Sequence, residues 1–233
     1  MYVKTIEYYK QAIRLKPDDA KAHFNFGVTY DELGMYREAV ESYKQAISLK
    51  PDYGEAHINL GFAYVNLGMH REAVESFKQG IRIKPDDAEA HFNLGVSCDE
   101  LGMYREAIES FKQGIRLKPD DGEAYFNLGV SYGRLGMYRE ATESFKQVLS
   151  LKPGYVEAHY FLGINYIGLG MHREATESLK QVLRIKPGYV EAHFNLGLVC
   201  LVLKDRDSAL EEYRILKSLD LKLANKLFNL INE

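Results

Sequence analysis

A stretch of 34 residues, AKAHFNFGVTYDELGMYREAVESYKQAISLKPDY, runs from Ala20 to Tyr53, and relatives of it begin at Gly54, Ala88, Gly122, Val156 and Val190. A fixed period of this length constrains the fold more than any other feature of the chain. Each copy is one supersecondary unit that cannot bury its apolar face alone and must stack on its neighbours. Proline closes the copies at Pro51, Pro85, Pro119, Pro153 and Pro187, and Pro17 closes an earlier, partial one.

Within a copy the local signals spell helix, turn, helix. In the third, His91, Leu94, Gly95 and Cys98 fall at i, i+3, i+4 and i+7, one face of a helix. Gly102 then interrupts the pattern, as glycine does where a helix ends in a left-handed residue. Helical spacing resumes from Arg105 to Lys118, with Ala107, Phe111, Gly114 and Ile115 on one face. Pro119 disfavours helical geometry in the residue before it. Asp120 and Asp121 follow, placed to cap the next helix.

The second copy carries Leu60, Gly61, Tyr64, Ala73, Phe77 and Pro85. At that spacing the chain resembles the tetratricopeptide repeat family, whose pattern is W-x2-L-G-x2-Y, then A-x3-F, then P. The resemblance covers essentially the whole chain, with one systematic departure. The tryptophan position holds His23, His57, His91, Tyr125, His159 and His193, rings flat enough to pack between helices. The expected fold is all-α, a solenoid of 34-residue helix-turn-helix units, and the resemblance implies a right-handed superhelix. The expected organisation is a half repeat over 1–19 and units over 20–53, 54–87, 88–121, 122–155, 156–189 and a divergent 190–223. A C-terminal capping helix follows over 224–233, with a possible start near 221. The half repeat supplies only a second helix, so the chain reads as part of a longer array or as one that uses that end in self-association.

Composition narrows the function classes. Apolar residues make up 46% of the chain and the formal net charge is −3, a globular and slightly acidic balance. That argues against nucleic acid as the main partner, and an RNA-binding helical array is disfavoured on the same ground. No run of eighteen apolar residues predicts a membrane span, and the N-terminus lacks the apolar centre of a signal peptide, so the chain reads as cytoplasmic.

Helix geometry then selects a face. With positions numbered from the first residue of each copy, positions 4, 7, 8 and 11 of the first helix point one way, and positions 2, 6, 9 and 13 nearly opposite. The second set is expected to line the concave surface of the stack. Position 6 holds Asn25, Asn59, Asn93, Asn127 and Asn195, and Phe161 interrupts the row. An asparagine amide both donates and accepts, so such a row grips the backbone of an extended peptide with little regard to its sequence. The repeat arrays of O-linked N-acetylglucosamine transferases carry a similar asparagine ladder, which implies recognition of extended peptides here without the transferase chemistry. The competing reading makes the asparagines local caps or links between neighbouring first helices.

Position 5 holds Phe24, Ile58, Phe92, Phe126, Tyr160 and Phe194. These side chains are either anchors beside the ladder or packing between adjacent first helices. The tips of the first helices change from Asp31, Glu32, Asp99 and Glu100, through Arg134, to Ile164, Ile167, Leu198, Leu201 and Val202, an acidic-to-apolar drift. The carboxylate clamp by which some family members hold acidic chaperone tails is not matched. Position 5 is never lysine, and position 2 is Glu55, Glu89, Glu123, Glu157 and Glu191 after Lys21.

No catalytic constellation is expected, and no cofactor. The position-4 histidines stand whole repeats apart and do not converge as metal ligands must. Cys98 and Cys200 both take position 11, three copies apart, and read as buried thiols. The expected function is a non-enzymatic scaffold for protein–protein interaction, with a peptide or protein segment in the groove. Two alternatives stand: a homo-oligomeric scaffold assembled through Ile6, Tyr9 and Ile13 of the open N-terminal helix, and the substrate-recruiting piece of a larger enzyme such as a glycosyltransferase.

Overall fold

A computed structural model describes residues 2–232, with side chains from Lys4 onward. The described residues form fourteen α-helices and no strand. They fall into two compact units that divide between Pro119 and Asp120.

The first unit contains α1 (Tyr2–Leu15), α2 (Ala20–Glu32), α3 (Tyr36–Leu49), α4 (Gly54–Asn66), α5 (His70–Ile83), α6 (Ala88–Glu100) and α7 (Tyr104–Leu117). Each helix packs on the one before it in sequence, and α4 also touches α2 and α6. The helices inside a copy are separated by Gly34, Gly68 and Gly102, all at φ between +70° and +73°. At each of these turns the residue after the glycine donates its N–H to the carbonyl five residues back, as Met35 does to Tyr30 at 2.9 Å. That bond satisfies a carbonyl the helix would otherwise leave open. Between copies, Asp19 and Asp87 accept hydrogen bonds from the free N–H groups of α2 and α6, while Tyr53 precedes α4 without such a cap. The core is a ladder of rings against glycines. A methyl group on Gly27, Gly61 or Gly95 would lie 2.6–2.7 Å from Tyr43, Phe77 or Phe111. Those three rings are fully buried. Glycine at position 8 thus lets the second helix approach until its aromatic residue rests on the backbone of the first.

The second unit contains α8 (Gly122–Arg134), α9 (Tyr138–Leu151), α10 (Val156–Gly168), α11 (His172–Ile185), α12 (Val190–Val202), α13 (Arg206–Leu219) and α14 (Leu221–Asn232). Of the pair before α8, Asp121 is the residue that caps, accepting from the N–H groups of Glu123 and Ala124 at 3.1 and 3.0 Å. Gly136 and Gly170 repeat the left-handed turn, but in the divergent last copy Lys204 takes that place at φ +62°. Its turn bonds are kept, Lys204 N–H to Leu201 and Asp205 N–H to Cys200, so a lysine is held where the others use glycine.

The last helix starts at Leu221, three residues ahead of the 34-residue frame, because Asp220 caps it through a 3.0 Å bond from the Leu223 N–H. Ala224, Leu227 and Ile231, at i, i+3 and i+7, turn inward and are buried. They join Leu196, Val199, Cys200, Ala209 and Leu216 in one cluster. Phe194, Leu198 and Leu201 pack against that cluster, so part of the apolar drift expected along the first helices serves the core here.

Candidate functional site

The residues singled out by the repeat lie on the first helices. In the first unit these are Asn25, Asn59 and Asn93, on α2, α4 and α6, and all three are half-buried. Position 2 on the same stripe is exposed throughout, as Lys21, Glu55 and Glu89. In the second unit Asn127 and Asn195 are half-buried on α8 and α12, with Phe161 between them in sequence on α10, and Glu123, Glu157 and Glu191 are exposed.

The asparagine amides are already partly engaged. Asn93 donates one N–H to the carbonyl of Glu89 at 2.9 Å, and Asn127 does the same to Glu123 at 3.0 Å. Each keeps a second N–H and its carbonyl oxygen facing outward from that bond. Asn195 donates to Glu191 O at 2.8 Å and to the Tyr160 hydroxyl at 3.2 Å. Asn195 is thus oriented by a tyrosine from the preceding copy, which no local spacing in the sequence signals.

Tyr43 of α3, fully buried, reaches an acidic side chain of α2. Its hydroxyl donates to Asp31 Oδ2 at 2.6 Å, while Asp31 Oδ1 is buried without a partner. Burial raises the Asp31 carboxyl above its ordinary value, and the Tyr43 bond draws it part of the way back. Burial pushes the Tyr43 hydroxyl well up, and the bond to Asp31 adds to that. Equivalent positions in α5, α7 and α9 hold Phe77, Phe111 and Phe145, so those copies lack this network.

The position-5 side chains sit at an intermediate depth, except Ile58, which is buried. Phe24, Phe92 and Phe126 pack on a ring of their own copy's second helix, and Phe126 also meets Phe161 of the next first helix. Phe24 lies 5.8 Å from Tyr43 and 4.9 Å from Tyr53, centroid to centroid. Phe92 lies 5.8 Å from Phe111, and Phe126 lies 5.6 Å from Phe145 and 5.2 Å from Tyr155. Tyr160 stacks on Tyr189 at 5.2 Å, and the Lys226 ammonium lies 5.3 Å over the Phe194 ring. The five rings at position 5 are half-buried, so each keeps part of its surface in solvent.

The position-4 histidines have a structural partner that the sequence reading missed. His23, His57 and His91 each donate through Nε2 to the carbonyl of the proline six residues before, Pro17, Pro51 and Pro85, at 3.0 Å. His159 and His193 do so to Pro153 and Pro187 at 2.9 and 2.7 Å. The constant His–Pro offset of six was the available signal. The ring ties the turn between copies to the helix that follows. His193 is buried and also meets Glu212 Oε2 through Nδ1 at 2.6 Å. Among the described residues, no group of three or more histidine, cysteine or acidic side chains is placed to hold a metal ion. Cys98 and Cys200 are free and buried, and burial pushes the Cys98 thiol up to about 11. Among the described residues, no helix is long and apolar enough to cross a membrane.

Models described as TPR repeat or tetratricopeptide repeat match residues 8–41, 30–68, 54–87, 100–136, 122–155 and 162–220. The fold is similar to the crystal structure of YrrB, described as a TPR protein with an unusual peptide-binding site. The TM-score is 0.75 at 26% identity, over 80% of this chain and 96% of that one. MamA is similar at a TM-score of 0.69 and 26% identity, over 74% of this chain and 94% of that one. The C-terminal part of a TPR repeat-containing protein from Cytophaga hutchinsonii shares the fold at a TM-score of 0.78 and 18% identity, over 97% of this chain and 94% of that one. No curated protein matches the chain. The 34-residue period, the ring-on-glycine packing of the first four copies and these matches agree: the chain belongs to the tetratricopeptide repeat family.

Proposed function

We propose that this protein is a non-catalytic cytoplasmic scaffold that holds an extended peptide segment of a partner protein along its first-helix face. The observation that carries the reading is the recurrence of a half-buried asparagine at one helical position, Asn25, Asn59 and Asn93 in one unit and Asn127 and Asn195 in the other. Asn93 and Asn127 keep a donor and an acceptor after their bonds to their own helix, the pair that a peptide backbone needs. The exposed parts of Phe24, Phe92, Phe126, Tyr160 and Phe194 take apolar side chains of that peptide. The similarity to YrrB, described as a TPR protein with an unusual peptide-binding site, supports the reading.

The test is a peptide array probed with the wild type and with a variant carrying Asn59→Ala, Asn93→Ala and Asn127→Ala. A backbone hydrogen bond contributes about 1 kcal/mol net, so three lost contacts weaken binding on the order of 100-fold. Unchanged binding by a folded variant would make the row structural.

A second reading is self-association through α1. Tyr9 and Ala12 are half-exposed, whereas their equivalents Tyr43, Phe77, Phe111 and Ala46 are fully buried, and Leu15 is 86% exposed. Sedimentation over a wide concentration range tests it, and a mass fixed at one chain refutes it.

A further inference from the structure

The second unit contains a hollow that the asparagine row does not explain. It lies between α8 and α10, has a volume of about 260 Å³, and is lined by Val130, Arg134, Tyr138, Phe145, Phe161 and Ile164. We propose that it is a side-chain subsite for a leucine or phenylalanine of an extended peptide, with a carboxylate beside that residue. The inference rests on the peptide-binding reading above and adds a sequence preference to it.

Three departures from the repeat open the hollow. At position 6 of α10 the row has Phe161 in place of asparagine. Its ring stacks on Phe145, with centroids 5.7 Å apart and planes 11° apart, and turns edge-on to Phe126 at 5.6 Å. The floor is therefore aromatic. At position 12 of α8 stands Gly133, where α2, α4 and α6 carry Asp31, Val65 and Asp99. A Cβ at Gly133 would meet only Asn165 Oδ1, at 3.5 Å, so no side chain fills that place. At position 10 of α10 stands Asn165, where α2, α4, α6 and α8 carry Thr29, Ala63, Ser97 and Ser131. Asn165 is buried, and its amide is tied down by a 2.7 Å bond to Phe161 O. The wall it forms is fixed rather than free to fold into the space.

Size and chemistry identify the occupant. An apolar cavity of about 150 Å³ is enough to take benzene, so this hollow accommodates a leucine or phenylalanine side chain. It opens to solvent, since Val130, Phe161 and Ile164 are half-buried and Arg134 is exposed. The only charge on its lining is the guanidinium of Arg134. A guanidinium has five donors in a fork that suits a carboxylate, so it can add one to whatever contact it already makes. An aspartate or glutamate neighbour of the apolar residue, or a C-terminal carboxylate, supplies that group.

The occupant is a peptide because the hollow continues the asparagine stripe. Asn127, Val130 and Arg134 are spaced i, i+3 and i+7 on α8, and Phe161 and Ile164 are spaced i and i+3 on α10. A backbone held at Asn127 passes the mouth of the hollow one helical turn away.

The test uses the full chain and a positional library of N-acetylated octapeptides, each made with a C-terminal amide and with a free acid. Leucine and phenylalanine next to aspartate or glutamate should be enriched on the wild type. Selection of the free-acid form alone would identify the C-terminal carboxylate as the partner of Arg134. Gly133→Leu fills the hollow from a helical position where leucine is a better helix former than glycine, so the variant folds at least as well as the wild type. It should lose the apolar preference and roughly 10- to 100-fold in affinity, the scale of burying one such side chain. Arg134→Gln should lose only the preference for the carboxylate. If both variants bind the same peptides with the same preference, the subsite is wrong and the asparagine row stands. If no peptide binds the wild type, both readings fall.

Discussion

Removing one hydroxyl, by Tyr43→Phe, tests whether the bond from Tyr43 to Asp31 stabilises the fold. The ring itself is safe to keep. Phe77 and Phe111 occupy the equivalent slots, each resting on a glycine whose added methyl would lie 2.6–2.7 Å away, as at Tyr43. The change therefore isolates the 2.6 Å bond to Asp31. A hydrogen bond to a charged group contributes about 1.5–3 kcal/mol net. The upper half of that range is expected, because Asp31 Oδ1 is buried with no partner and the carboxylate has little else to hold it. In an Asp31→Asn background the bond becomes neutral and the same Tyr43→Phe change should cost only about 0.5–1.5 kcal/mol. The difference between the two backgrounds, about 1.5 kcal/mol, is the charge-assisted part. Stacked repeats open locally, so native-state hydrogen exchange of the α2 and α3 amides reads this better than a global melt. Unchanged exchange in Tyr43→Phe at neutral pH, or an equal cost in both backgrounds, would refute the reasoning.

The same carboxylate makes a pH prediction. The folded value of Asp31 is raised, mainly by burial, so the folded state binds its proton more tightly than the unfolded state does. Its contribution to stability is greatest in acid, below its ordinary value, and is lost as pH rises through the folded value. Asp31→Asn should therefore compare best with wild type at neutral pH and lose that advantage in acid, as read by urea midpoints across the range. Lys204→Gly should stabilise the second unit by about 1 kcal/mol, because a lysine at φ +62° carries a steric cost that glycine avoids; a lower urea midpoint would contradict this. The Cys98 thiol, pushed up to about 11 by burial, should resist iodoacetamide at neutral pH in the native state and react once urea unfolds its unit.

The repeat made most of the fold legible. The glycines at Gly34, Gly68, Gly102, Gly136 and Gly170, the prolines between copies and the capping Asp121 are local signals that act through the dihedral angles of one or two residues. A reader of the chain alone can therefore place nearly every helix and the stripe that carries the asparagines. The period could not tell where a side chain bonds once copies are stacked. Asn195 finds a tyrosine hydroxyl from the copy before it, and Phe24, Phe92 and Phe126 spend ring contacts on the second helices. The hollow needs Gly133, Phe161 and Asn165 at once, each unremarkable at its own place in the sequence. Helix position is decided by neighbours along the chain, whereas the shape and bonding of a face are decided by side chains brought together across a whole repeat. Only the packed structure brings those side chains within bonding distance.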